Sequence, residues 1–228
     1  MRIFAIADLH LPGGDVKPMD VFGPHWERHF ERISEDWRAR VGEEDVVLLP
    51  GDTSWAMQLR DALPDLLRIA DLPGRKILLR GNHDYWWSSL SRLRAALPEG
   101  FYALQNDALL LSGTLFAGTR GWLCTCDDPQ DRKIHEREVQ RLALSLQAAR
   151  RLSADAPIVA MLHYPPFPEP PEQTGFTRLL SEYGVRVAVY GHLHGASTAR
   201  AFNGLFEGVR YQLVSCDALR FALCEIES

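Results

Sequence analysis

The sequence has little of what marks secreted, membrane-spanning or nucleic-acid-binding proteins. Its four cysteines among 228 residues are too few for a disulfide framework, and Cys124 and Cys126 lack the spacing of a C-x-x-C motif. The apolar runs fall far short of the roughly 20 residues that cross a bilayer. Basic side chains number 25 against 30 acidic ones, so the chain has no excess of positive charge that would attract nucleic acid.

Low-complexity segments and a leader-like N-terminus are also missing. The first carboxylate, Asp8, follows Met1 too closely to leave room for the apolar region of a secretory signal. We therefore expect a cytoplasmic protein with reduced thiols and no membrane partner, and nucleic acid is not favoured as a partner. The length fits one domain over residues 1–228.

Strand-length apolar runs alternate with helical patterns along the chain, which predicts an α/β fold. The runs carry no regular polar alternation, so each is expected to be a central strand buried on both faces. They lie at residues 3–7, 46–49, 77–79, 158–162 and 185–190. Apolar residues at helical spacing predict an amphipathic helix over residues 24–41 and a second, long helix across residues 134–149.

Turn-forming dipeptides divide the middle of the chain into short β segments. Asn106-Asp107 and Ser112-Gly113 predict two consecutive hairpins within residues 101–118. Residues 208–215 and 221–226 are predicted to form another hairpin near the end of the chain. The sheets should therefore be mixed, with parallel strands in their centres and antiparallel pairs elsewhere.

Polar side chains able to bind metal follow each of the five predicted strands. They stand in Asp8-Leu9-His10, Gly51-Asp52, Gly81-Asn82-His83-Asp84, His163 and Gly191-His192-Leu193-His194. Taken singly, such motifs are more often turns or helix caps than ligands. Because ligand sites of open α/β sheets lie outside the carboxyl ends of the strands, the clusters are expected to converge in one crevice. Three other histidines, His25, His29 and His135, fall on predicted helices and are interpreted as ordinary surface or half-buried residues.

In this order, the five motifs resemble those of the calcineurin-like metallophosphoesterase superfamily, and the surrounding sequence is similar to a bacterial subgroup of predicted phosphohydrolases. The resemblance spans residues 8–194. It implies an α/β fold, a four-layer αββα sandwich of two mixed β-sheets with helices outside. A protein Ser/Thr phosphatase is less favoured, because Gly51-Asp52 is followed by Thr53-Ser54 rather than by a further Asp-Arg.

The resemblance also implies a site for two divalent metal ions. One ion would be held by Asp8, His10 and His194 and the other by Asn82, His163 and His192, with Asp52 bridging the pair. A shared carboxylate can hold two ions about 3.5–4 Å apart. Manganese or an iron–manganese pair is the leading expectation, with zinc, cobalt and nickel as alternatives. The absence of thiolates among these residues disfavours iron–sulfur clusters and copper(I).

Two residues outside the ligand set are implied to be catalytic. His83 is expected to donate a proton or a hydrogen bond to the oxygen of the leaving group. Its neighbour Asp84 is expected either to orient and acidify the His83 ring or to cap the following helix.

The predicted reaction is hydrolysis of a phosphodiester or phosphomonoester of a small or nucleotide-like substrate, by attack of a metal-bridging hydroxide. The alternatives are a metal-dependent nuclease and a non-catalytic metal-binding scaffold. Four tryptophans are predicted to line the substrate opening, with Arg80 or Arg120 meeting a phosphate oxygen; they are Trp55, Trp86, Trp87 and Trp122. The alternative is that the tryptophans pack between sheet and helix. The proline-rich residues 165–171 are expected to form the other side of the opening.

Overall fold

The computed structural model describes residues 1–14, 19–125 and 127–227, and its strands form two mixed sheets. The first sheet contains β1 (Ile3–Ala5), β2 (Val46–Leu49), β3 (Arg75–Leu78), β4 (Phe101–Ala103) and β11 (Cys224–Ile226). Its spatial order is β11-β1-β2-β3-β4. Neighbouring strands are parallel except for β11, which is antiparallel to β1.

The second sheet has four parallel strands in its centre and an antiparallel strand at each edge. It contains β5 (Ala108–Leu111), β6 (Thr114–Thr119), β7 (Ile158–Leu162), β8 (Val185–Tyr190), β9 (Gly204–Phe206) and β10 (Val209–Leu213). The spatial order is β5-β6-β7-β8-β10-β9. Strands β5 and β9 are antiparallel to β6 and β10.

Helices cover the outer face of each sheet. The first sheet packs against α1 (His29–Arg40), α2 (Leu59–Ala70) and α3 (Leu90–Ala96), and the second packs against α4 (Pro129–Leu152) and α5 (Gly175–Glu182). Short 3₁₀ helices span Met19–Phe22, Pro24–Trp26 and Gly195–Arg200. Among the residues that the structure describes, no helix combines the length and the hydropathy needed to span a membrane.

Successive residues of each central strand belong to different hydrophobic layers. Ile3 and Ala5 of β1 lie in the cluster between the two sheets, with Phe116 and Val159 of the second sheet. Phe4 lies in the cluster beneath the helices of the first sheet. Since successive side chains of a strand point to opposite faces, a strand between two apolar layers needs no polar alternation. The predicted four-layer αββα sandwich of two mixed sheets is confirmed.

Two of the three predicted hairpins are wrong. Strand β4 pairs in parallel with β3, while β5 pairs with β6 in the other sheet, so Asn106-Asp107 lies in a crossing between sheets. The Ser112-Gly113 turn is confirmed, since both residues have positive φ angles and join the paired residues Leu111 and Thr114. Near the end of the chain, β10 pairs with β9, and β11 belongs to the first sheet.

The helix predicted over residues 24–41 is interrupted. A 3₁₀ helix ends at Trp26, Arg28 has a φ of 51° in the left-handed region, and α1 begins only at His29. The second predicted helix is present and longer than its apolar stripe. It begins at Pro129, where the side chain of Asp128 accepts a hydrogen bond from the amide of Gln130.

Candidate functional site

The predicted ligands lie in loops that follow β1, β2, β3, β7 and β8, at the carboxyl ends of these strands in both sheets. The loops after β1 and β2 run side by side, because the amides of Asp8 and His10 donate hydrogen bonds to the carbonyls of Gly51 and Asp52, both at 3.0 Å. Asp8, His10, Asp52 and His192 all have positive φ angles. Such backbone costs of order 1–3 kcal/mol for each residue and is characteristic of functional sites.

Two glycines allow these loops to pack closely. A Cβ atom on Gly191 would lie 2.7 Å from Oδ2 of Asp8, and one on Gly81 would collide with the backbone and side chain of Asp52. Any other residue at either position would therefore displace a carboxylate of the site.

We call Asp8, His10 and His194, which are predicted to hold one ion, the first ligand set. The Nε2 atoms of His10 and His194 lie 3.4 Å apart, and Nε2 of His194 is 3.6 Å from Oδ1 of Asp8. The three residues offer ligand atoms that all lie within 4.8 Å of one another.

We call Asn82, His163 and His192, which are predicted to hold the other ion, the second ligand set. Oδ1 of Asn82 lies 2.7 Å from Nε2 of His163 and 2.9 Å from Nδ1 of His192. His163 is fully buried, and its Nδ1 lies 3.0 Å from the carbonyl oxygen of Pro50, which fixes the ring.

Asp52 stands between the two sets. Its Oδ2 lies 3.9 Å from Nε2 of His10 and 3.5 Å from Nε2 of His163. Asp8, Asp52 and His163 themselves form a second compact group of possible metal ligands. One carboxylate oxygen therefore lies near nitrogens of both sets.

The charges and burial of these side chains fit cations. Burial lowers the pKa of His10 and of His163 to about 3, which keeps both rings neutral with a lone pair available. Burial, with repulsion from Asp84 and Asp8, raises the pKa of Asp52 to about 9. Nδ1 of His10 is buried without a hydrogen-bond partner among the described residues. Buried carboxylates are costly unless an opposite charge compensates them, and bound cations would provide that charge.

Asp217 holds His194 and was not foreseen from the sequence as a site residue. Its Oδ1 lies 3.0 Å from Nδ1 of His194, and its Oδ2 accepts a hydrogen bond from the amide of Gly195. Burial lowers the pKa of His194, but hydrogen bonds to Asp217 and Asp8 outweigh burial and raise it to about 10. A cation bound by His194 would replace this proton. Two features of the sequence mark Asp217: it closely follows β10, and it ends the segment Val214-Ser215-Cys216-Asp217, which is part of the similarity to the bacterial subgroup.

Asp84 performs neither of its two predicted roles. Its buried carboxylate accepts hydrogen bonds from the amides of Gly81, Asp52, Thr53 and Ser54 and from the indole of Trp86, at 2.7–3.3 Å. The residue before α3 is Ser89. Asp84 therefore ties together the loops after β2 and β3, and its hydrogen-bond capacity is used by these five donors.

The ring of His83 is half-buried and lies outside both ligand sets. Its centroid is 4.5 Å from the ring of Trp55 and 5.9 Å from that of His10, and its backbone amide donates a hydrogen bond to Oδ1 of Asp52. Burial lowers the pKa of His83 below its usual value. A neutral imidazole still carries one N–H that can donate a hydrogen bond.

An aromatic cavity of about 310 Å³ opens beside the first ligand set. Its polar lining comes from the site, including Asp52, His83 and His194. Met19, Phe22, Trp26 and Trp55 provide its apolar lining. The ring of Trp55 stacks on His10 at a centroid distance of 4.6 Å. His25, interpreted from the sequence as an ordinary surface or half-buried residue, is exposed on a 3₁₀ helix and also lines this cavity.

Of the four tryptophans predicted to line the opening, Trp55 lines the aromatic cavity and the other three do not. Trp86 is only 1% exposed and belongs to the core beneath the helices of the first sheet, so the alternative of packing was correct for it. Trp122 is half-buried against Tyr164 and donates a hydrogen bond to Asp131. Trp86 and Trp122 do not line the aromatic cavity, and residues 165–171 also contribute nothing to it. Phe167 of that segment packs in the core of the second sheet.

The two predicted phosphate-binding arginines do lie together. Arg80 and Arg120 line a separate cavity of about 110 Å³, which shares no lining residue with the aromatic cavity. Of the two cysteines with no assigned role, Cys124 is partly buried near the carbonyl oxygens of Trp122 and Pro165, and Cys126 lies outside the described residues.

Comparisons with known proteins give similarities of sequence and of fold. The chain is 37% identical over 120 aligned positions to the Gene 66 protein of Mycobacterium phage D29, covering 43% of this chain and 58% of the phage protein. The chain thus spans less than two thirds of that relative. It is 25% identical over 171 positions to a protein of Xanthomonas oryzae pv. oryzae named adenine phosphoribosyltransferase, covering 72% of this chain and 89% of that protein.

The fold is similar to the crystal structure of phosphopantetheinyl hydrolase (PptH) from Mycobacterium tuberculosis. The TM-score is 0.59 with 14% identity, over 99% of this chain and 95% of the other. At that identity the likeness concerns the fold alone. Residues 1–196, which include all seven predicted ligands, match the model of the calcineurin-like phosphoesterases. The chain therefore belongs to the calcineurin-like phosphoesterase family, a family of metal-dependent phosphoric ester hydrolases.

Proposed function

We propose that this protein hydrolyses a phosphodiester or phosphomonoester of a small or nucleotide-like substrate with the help of two divalent cations. The observation that carries the proposal is the position of Asp52, whose Oδ2 lies within 4 Å of a nitrogen from each ligand set. When bound, two cations would polarise the phosphoryl group and lower the pKa of the attacking water.

Each ligand set would bind one of the two cations. Asp8, His10 and His194 would hold one, Asn82, His163 and His192 the other, and Asp52 would serve both. Nitrogen and oxygen donors suit manganese, iron, zinc, cobalt and nickel, and we favour manganese or an iron–manganese pair. Two cations with the carboxylates of Asp8 and Asp52 leave a site charge of plus two, which would attract an anionic substrate.

His83 would donate a hydrogen bond to the oxygen of the leaving group. Its ring lies outside the ligand sets and lines the same cavity as Asp52. A donor at that position stabilises negative charge that appears only as the ester bond breaks. The aromatic cavity lies on the same side, so the leaving group would extend between Trp55 and Trp26.

The lining of the aromatic cavity supports a leaving group with a flat or apolar portion, such as a nucleobase. Large aromatic walls favour rings that can stack at low conformational cost. A polynucleotide substrate is the second candidate, but the net charge of −5 supplies no extended attraction to a phosphate backbone. A non-catalytic scaffold is disfavoured, because all seven ligand candidates are present and converge. The transferase name of the Xanthomonas protein is not extended to this chain, since residues 1–196 match the model of the calcineurin-like phosphoesterases.

The proposal is tested by metal-dependent turnover. Aryl phosphodiesters and phosphomonoesters are offered to the wild type with manganese, after chelation, and after manganese is restored. We expect turnover of at least one ester class that chelation abolishes and manganese restores. The Asp52→Asn variant should lose it, whereas Asp155→Asn, at an exposed position before β7, should retain it. Turnover that survives chelation, or no turnover of either class, would contradict the proposal.

A further inference from the structure

A basic cavity lies where the ends of β3 and β6 meet α4. Arg80 follows β3, Arg120 follows β6, and Arg141 reaches the cavity from α4. Its volume is about 110 Å³, which gives room for several water molecules or for a single phosphate group.

The cavity contains more positive than negative charge. Its lining has three guanidinium groups and one carboxylate, that of Glu138, which is only 1% exposed. Glu138 lies 2.6 Å from Arg141 and 3.6 Å from Arg120. One carboxylate neutralises one of the three positive charges, so two remain for an external anion.

Two donor groups of the cavity are unsatisfied. Nε of Arg80 and Nε of Arg120 are buried, and neither has a hydrogen-bond partner within the described ranges. A buried donor on a charged group is costly when it has no acceptor. The guanidinium of Arg120 is otherwise held 4.7 Å above the ring of Trp122, which positions it without supplying an acceptor oxygen.

The backbone joins this basic cavity to the second ligand set. Arg80 precedes Asn82 by two residues, so their Cα atoms are at most about 7 Å apart. The carbonyl of Arg120 accepts hydrogen bonds from the amides of His163 and Tyr164, at 3.0 and 2.9 Å. An anion in the basic cavity would therefore lie close to the second ligand set without touching the aromatic cavity.

We propose that Arg80, Arg120 and Arg141 form a binding site for a phosphate group, separate from the metal centre. Guanidinium forks match the oxygens of a phosphate and form charge-assisted hydrogen bonds to them. The phosphate could be a second phosphate of the substrate or free inorganic phosphate. The first source rests on the proposed hydrolysis, whereas anion binding itself does not depend on turnover.

Calorimetric titration of the metal-loaded protein with inorganic phosphate tests the site. We expect two phosphates per wild-type chain, one at the metals and one in the basic cavity. Arg80→Gln and Arg141→Gln should each weaken the second binding event at least tenfold, whereas Arg178→Gln, an exposed arginine on α5 paired with Glu182, should leave it unchanged. Because Arg141 is half-exposed, its variant should fold even if Arg80→Gln does not. Equal affinity in all variants, or the absence of any phosphate binding event that Arg80→Gln or Arg141→Gln weakens, would overturn the proposal.

Kinetics distinguish the two sources of phosphate. An aryl ester that carries a second phosphate is compared with the same ester without it, using the wild type and Arg141→Gln. A larger increase of KM for the doubly phosphorylated ester identifies the site as part of substrate binding. An equal change for both esters, with phosphate binding lost in calorimetry, identifies free phosphate as the ligand. If neither ester is hydrolysed, the proposed function fails, while the calorimetric result still decides the anion site.

Discussion

The two ligand sets differ in how their histidines are held. In the second set, His163 is fully buried and fixed through the carbonyl of Pro50, and the oxygen of Asn82 lies within hydrogen-bond distance of both imidazoles. In the first set, the side chain of His194 is 30% exposed and is oriented by the carboxylate of Asp217. A backbone carbonyl thus orients His163 of the second set, whereas the side chain of Asp217 orients His194 of the first set, which borders the aromatic cavity. This difference predicts that a side-chain substitution can lower the metal affinity of the first set and leave that of the second set unchanged.

The largest loss of rate without loss of metal should come from His83, which belongs to neither ligand set. His83→Ala should retain its metal and lose about 10²–10⁴ in rate, because it removes only a hydrogen-bond donor to the leaving group. The loss should be large for an alkyl ester and small for a nitrophenyl ester, whose departing oxygen is less basic. His135→Ala, on α4, is the matched control and should keep full activity. Loss of metal from His83→Ala, or an equal rate loss on both esters, would show that the role is misassigned.

Asp217→Asn should affect the first ligand set alone. Partners that orient a metal-binding imidazole contribute about 10–100-fold to metal affinity. We therefore expect the variant to bind one ion with affinity lowered in that range and the other ion as the wild type does. Titration of the metal-stripped protein with manganese would resolve the two binding events. If the variant bound both ions with equally lowered affinity, Asp217 would not act on the first ligand set alone.

Trp55→Leu should weaken substrate binding without removing metal. The indole stacks on His10 and lines the aromatic cavity. Aromatic pairs contribute about 0.5–1.5 kcal/mol beyond their buried area, so KM should rise by up to about tenfold for esters whose leaving group carries a ring. Phe206→Leu, on the edge strand β9 and outside both cavities, is the comparison. Equal changes of KM in the two variants would contradict the proposal that Trp55 contacts the leaving group in the aromatic cavity.

The smallest expected effect is on stability, and it comes from Asp45, which precedes β2 of the first sheet and belongs to neither ligand set. Burial raises the pKa of Asp45, but hydrogen bonds from the amides of Arg2 and Gly42 and from the Arg2 side chain outweigh burial and lower it below 3.8. A lowered pKa in the folded state stabilises the protein above the unfolded pKa, and the stabilisation is lost as pH falls through the folded value. Asp45→Asn should therefore lower the free energy of unfolding at pH 7 and have less effect near pH 3. Denaturant titrations at the two pH values measure the difference, and an effect that grows toward low pH would contradict the assignment.

The sequence predicted the central strands and the ligand clusters because both are local signals. Each cluster follows a mainly apolar run, with Arg186 as the one charged residue inside a run, so the direction of the strand determines the end of the sheet at which the cluster lies. The hairpin at Asn106-Asp107 was wrong for the converse reason. A turn dipeptide favours a change of direction, but it does not specify whether the next strand joins the same sheet or the opposite one.

Contacts between distant segments could not be predicted. Asp84 accepts hydrogen bonds from residues about 30 positions earlier, and nothing near it in the sequence indicates these donors. Trp86 and Trp55 both follow a ligand motif closely, yet one is buried in the core and the other stacks on His10. Trp26 and His25 reach the aromatic cavity because the helix predicted across them breaks at Arg28, where no glycine or proline marks the interruption.

The role of Asp52 as a shared ligand is tested most directly by metal content. Elemental analysis of the purified protein, reconstituted with manganese, should give two ions per chain for the wild type and for Asp155→Asn. Asp52→Asn removes one negative charge near both sets while keeping the size of the side chain, so it should lose occupancy at both and give clearly fewer than two ions. Because partners that merely orient a ligand already contribute about 10–100-fold, its metal affinity should fall by more than about 100-fold. Two ions bound to Asp52→Asn with unchanged affinity would contradict the account.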